Sequence, residues 1–103
     1  MRVQITTAGS IHAHQAFRDQ IAEDVSEHLS RFGDIVTRVD VHLADETARR
    51  SSEPVRCVVE AHVAGHEPVI VTHRAAMVDQ AVREAVEKLE GSVARALGRL
   101  GVR

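Results

Sequence analysis

From Val55 to His73 the chain keeps a period of two, with apolar Val58 and Ile70 on the otherwise polar side and a turn at Ala64-Gly65-His66, and from about Ala75 its apolar residues recur every three to four positions instead. A period of two turns one side of an extended strand toward a core. A period near 3.6 lays a stripe along one side of a helix. The change of period therefore predicts a β-hairpin followed by a long amphipathic helix. In the first strand Val55, Cys57, Val59, Ala61 and Val63 share one face, and Arg56, Val58, Glu60 and His62 the other. If positions 63 and 67 face each other across the turn, Val69, Val71 and His73 join the inner face of the returning strand. The helical stripe comprises Val78, Val82, Ala85, Val86, Leu89, Val93, Ala96, Leu97 and Leu100. Glu84 and Lys88 are spaced for an i,i+4 ion pair, and Gly91 weakens the helix by about 1 kcal/mol relative to alanine.

The same two periods organise the first half. Residues 2–7 alternate as a strand with Val3 and Ile5 inward, and Ala8-Gly9-Ser10 turns the chain. Residues 13–32 carry a helical stripe of Phe17, Ile21, Val25, Leu29 and Phe32, with Gly33 ending the helix. Its opposite face holds Arg18, Asp19, Glu23, Asp24, Glu27 and Arg31 and is net acidic. Residues 35–43 form a strand with Val39, Val41 and Leu43 on one side and Arg38, Asp40 and His42 on the other. The polar segment 44–54 reads as an exposed loop. The order is β-α-β-β-β-α. One apolar face per strand and one stripe per helix predict an α+β fold, a four-stranded sheet with two helices packed on one face and the other face wet.

Composition narrows the function. The chain has 103 residues, which is read as a single domain spanning 1–103. No apolar run approaches the length of a membrane span, and Met-Arg-Val-Gln-Ile reads as a strand rather than a leader. The single cysteine, Cys57, excludes an internal disulfide, and a cytoplasmic location is expected. Phe17 and Phe32 are the only aromatic residues, which argues against a sheet that stacks bases. Thirteen Lys and Arg against fifteen Asp and Glu argue against indiscriminate nucleic-acid binding, while a local basic patch remains compatible.

Several strings resemble the ribosome hibernation-promoting factor family, also described as ribosome-associated inhibitors or sigma-factor modulation proteins. Phe17-Arg18 followed by a helix ending in Leu29-Ser30-Arg31-Phe32 is similar to the family's first helix. Val36 to Leu43 is similar to its second strand, and Ala81 to Glu90, containing Lys88-Leu89-Glu90, to its final helix. The likeness covers nearly the whole chain, which resembles a short, diverged form. It implies a protein that occupies the messenger and transfer RNA channel of the small ribosomal subunit, inhibiting translation or protecting idle ribosomes. It departs from the family in its acidic first helix and in Gly91-Ser92, where the family continues with basic residues.

The expected mode is contact with RNA phosphates, which need cationic donors that arginine supplies bidentately. The candidates are Arg18, Arg31, Arg74, Arg83, Lys88, Arg95 and Arg99. The bland alternative is a solvated helix face with exposed ion pairs of small worth. A different functional class, a diverged protein-interaction module with the same fold and no ribosome binding, is suggested by the acidic helix. No enzyme is expected. His62 lies on the opposite strand face from Cys57, and His73, which the register would place across from it, shares a buried face with no cleft. The seven histidines show no convergence of the three or more ligands a metal site needs, so no metal or cofactor is expected. They instead suggest RNA affinity that rises as pH falls through the imidazole range. A monomer is expected.

Overall fold

The computed structural model describes residues 1–46 and 52–99. Leu100, the last residue of the expected stripe, and the middle of the expected 44–54 loop lie outside the described residues. The elements are β1 (Arg2–Ala8), α1 (Gln15–Leu29), a 3₁₀ turn (Ser30–Phe32), β2 (Val36–Asp45), β3 (Val55–Val63), β4 (Val69–Ala75) and α2 (Val78–Arg99). They form the α+β arrangement in the order β-α-β-β-β-α. The sheet order follows the chain, β1-β2-β3-β4. β1 runs parallel to β2, and the other two pairs are antiparallel.

The alternation of the sequence becomes the burial pattern of the sheet. Val39, Val41 and Leu43 of β2, with Val55, Cys57, Val59, Ala61 and Val63 of β3, are buried in one cluster with Ile21, Val25 and Leu29 of α1 and Val82, Ala85, Val86, Leu89, Val93 and Leu97 of the α2 stripe. Ala81 joins that stripe, a contribution the spacing of larger residues did not reveal. Phe17 and Phe32 pack against the cluster while staying partly exposed. Removing most of a buried side chain such as Leu89 would leave a cavity costing about 2–5 kcal/mol.

The hairpin register is the one anticipated from positions 63 and 67: Ala61 faces Val69, Val59 faces Val71 and Cys57 faces His73. Gly65 adopts φ +71°, the left-handed conformation that lets the turn close. Gly9 has φ +73°, and a Cβ there would come within 3.0 Å of the Asp45 carbonyl oxygen. That close approach follows from β2 continuing to Asp45. The segment expected as loop therefore begins later, because Ala44 and Asp45 pair with Arg56 and Val55 of β3.

Two further details sharpen the sequence reading. Register shifts between Val36 and Arg38, so Val36 faces Val63 while Arg38 faces His62. This bulge at Thr37 lets Val36 stay buried although Arg38, two positions on, lies on the open face. The first α-helix stops at Leu29, short of the expected Gly33; a 3₁₀ turn carries the chain on to Gly33, whose φ of −59° is not left-handed.

Candidate nucleic-acid interface

Spacing on α2 sorts its cations. Lys88, Arg95 and Arg99 are separated by seven and four residues, so they fall on one strip of the helix, and all three are exposed. Glu84, one turn before Lys88, turns toward the sheet: His73 Nε2 on β4 lies 2.9 Å from its Oε1. The expected Glu84–Lys88 pair is thus replaced by one between helix and strand. Among the described residues Lys88 and Arg99 have no ion pair, and Arg95 donates to Ser92 Oγ at 3.2 Å. The hydrogen bond from His73 holds the Glu84 carboxyl below its ordinary value.

The other candidates are dispersed. Arg83 lines a groove between α1 and α2 together with Asp24 and Asp79. Arg31 is at the far end of α1, 3.6 Å from Glu90 Oε2 and stacked over the Phe32 ring at 4.5 Å. Arg18 is turned to the backbone, donating from Nε to the Ala13 carbonyl at 3.2 Å and from Nη1 to the Ile5 carbonyl at 2.9 Å. It ties the start of α1 to β1. Arg74, on β4, is separated from the cations of α2. It faces Arg56 on the open side of the sheet, where Glu46 takes Arg74 Nη2 at 3.0 Å and Arg56 Nε at 2.8 Å. The reason is strand alternation: His73 points to the helices, so Arg74 must point away.

The open face carries a polar network that sequence reasoning missed. Gln4, Asp40 and Glu60 are register partners across β1, β2 and β3, and Arg38 faces His62 in the next row. Asp40 Oδ2 lies 3.0 Å and Glu60 Oε2 3.7 Å from His62 Nε2. Arg38 Nη2 is 3.1 Å from the same nitrogen, and Arg38 Nε is 3.2 Å from Asp40 Oδ1. Outward-pointing positions were legible in the sequence, but the cross-strand register that gathers them was not.

Cys57 and His73 do face each other, as the register guess placed them. Burial pushes the thiol up to about 12, and the imidazole is occupied by Glu84. A protonated thiol in a packed core is no nucleophile. Among the described residues no helix is long and apolar enough to cross a membrane.

Residues 3–100 match the family described as Sigma 54 modulation protein / S30EA ribosomal protein. The fold is shared with the N-terminal domain of Thermus thermophilus Protein Y, at 21% identity and TM-score 0.75 over 93% of this chain and 99% of that one. It is also shared with a ribosomal subunit interface protein from Coxiella burnetii, at 16% identity and TM-score 0.67 over 95% of this chain and 99% of that one. No curated protein matches the sequence.

Proposed function

We propose, from the premise that this chain belongs to the Sigma 54 modulation protein / S30EA ribosomal protein family, that it binds the small ribosomal subunit near the decoding and transfer RNA channel. Residues 1–103 act there as one monomeric cytoplasmic domain, by occupancy and not by catalysis. Bound in that channel, the domain inhibits translation by occupancy or protects idle ribosomes.

The observation that carries this reading is the exposed strip of Lys88, Arg95 and Arg99 on α2. Three cations on one rigid helix can follow neighbouring phosphates without base recognition. Arg83 and Arg31 extend the contact along the helical side, although each has acidic neighbours there. Arg18 acts by fixing α1 against β1, and Arg74 contacts RNA only from the open face of the sheet. The two phenylalanines pack against the core, so backbone contact suits this chain better than stacking.

Sedimentation with purified ribosomal subunits tests the proposal. The protein should pellet with the small subunit at low salt and be released as salt rises. A Lys88→Glu/Arg95→Glu/Arg99→Glu variant should stay in the supernatant while keeping its circular dichroism spectrum. Equal pelleting of variant and parent, or pelleting with large subunits alone, would overturn the reading.

A further inference from the structure

We propose that Asp40, Glu60 and His62 form a binding site for a divalent transition-metal ion of the zinc class on the open face of the sheet, held closed by Arg38. One ligand atom from each residue lies within 4.8 Å of the others. All three project from adjacent paired strands. Asp40 sits directly opposite Glu60, and His62 is two residues along the same face. Backbone pairing therefore fixes all three Cα positions before any ion arrives.

The distances fit such an ion. Ligand bonds of about 2.0–2.1 Å in a tetrahedron put neighbouring donors about 3.3 Å apart. The His62 Nε2 distances to Asp40 and Glu60, 3.0 and 3.7 Å, bracket that edge. An imidazole with two carboxylates favours zinc and its first-row neighbours over magnesium and calcium, which prefer oxygen throughout. Gln4, with its amide oriented to suit both neighbours, donates to Asp40 Oδ1 at 3.2 Å and holds the carboxylate oxygen that does not face His62. Partners of this kind orient metal ligands.

Without an ion the cluster is in conflict. His62 Nε2 is asked to donate to Asp40 Oδ2 at 3.0 Å and to accept from Arg38 Nη2 at 3.1 Å. One ring nitrogen does one or the other. Protonating the imidazole answers Asp40 and sets two cations against each other. A metal ion in place of the guanidinium takes the Nε2 lone pair and both carboxylates at once. Arg38 serves as the resident cation, and its side chain, 39% exposed, has solvent to swing into. Its ligands belong neither to the α2 strip nor to Arg74, the one RNA candidate on this face, so cobalt binding is read separately from ribosome binding.

Cobalt(II) titration of the full, chelator-treated chain reads the site through the visible bands of tetrahedral cobalt, with zinc displacing the signal. His62→Gln should abolish the bands, and a His12→Gln/His14→Gln control should retain them. Arg38→Gln should tighten binding, on the order of tenfold, because it removes a competing charge. This gain is readable even if His62→Gln fails to fold. Bands that survive His62→Gln, binding unchanged or weakened by Arg38→Gln, or no tetrahedral signal in the parent chain would each overturn the proposal.

Discussion

His73 links two elements through a single hydrogen bond to Glu84, and that bond makes stability depend on pH in a definite direction. Hydrogen bonding to the ionised carboxyl lowers its folded-state pKa relative to the unfolded chain. The contribution is therefore complete above the ordinary glutamate range and is lost as pH falls through the lowered value. Thermal melts taken across the acid range should show the parent losing stability there more steeply than Glu84→Gln. Identical acid limbs would mean that the bond does not stabilise the fold. Glu84 also shows where a single sequence stops being informative. Helical spacing offers it Lys88, but the partner it takes comes from β4. Arg18 and Arg74 teach the same lesson: residue type marked them as cations, while strand alternation and a nearby carbonyl decided what they touch.

At the scale of elements, periodicity carried most of the information. The inner faces of β2, β3 and β4 were legible because a strand buries every second residue, and one register error would have turned Val59 and Ala61 outward. The bulge at Thr37 was not legible, since it depends on which residue of β3 lies opposite. The late end of β2 was hidden for a related reason: Ala44 and Asp45 are extended by pairing, not by their own preference. Two glycines, Gly91 and Gly98, work against α2, and Gly91 is the one in its interior. A Cβ there would meet only the Arg95 guanidinium, at 3.4 Å, an ordinary contact with a flexible side chain. Gly91→Ala should accordingly raise stability by about 1 kcal/mol in denaturant titration, from helix propensity alone. A destabilised variant would show that this point of α2 needs glycine for a reason other than conformation.

Across the whole molecule, charge is distributed by face rather than in net amount. The formal charge of −2 combines an acidic outer side of α1, the cationic strip of α2 and the mixed network on the open sheet. Under the proposed function, binding through the strip would release counterions, and the acidic helix would repel RNA from the neighbouring surface. For the parent chain, log affinity for small subunits should fall linearly with log salt. An Arg99→Gln variant, which keeps the other two strip cations, should bind more weakly with a slope shallower by about one unit, roughly one lost phosphate contact. Equal slopes would place the contact elsewhere.

The parallel pairing of β1 with β2 has a consequence for the order in which the molecule opens. β2, β3 and β4 are neighbours in sequence as well as in the sheet, so each closes on the next without a long detour. β1 reaches β2 only after the chain has passed through α1, and it lies at the edge with one strand partner. Closing that loop costs more entropy than closing the hairpin. Native-state hydrogen exchange should find the β1 amides released in a partial opening, while the β3 amides exchange only when the whole chain unfolds. The N-terminal strand is then the part of the fold that is last to be secured and first to be given up.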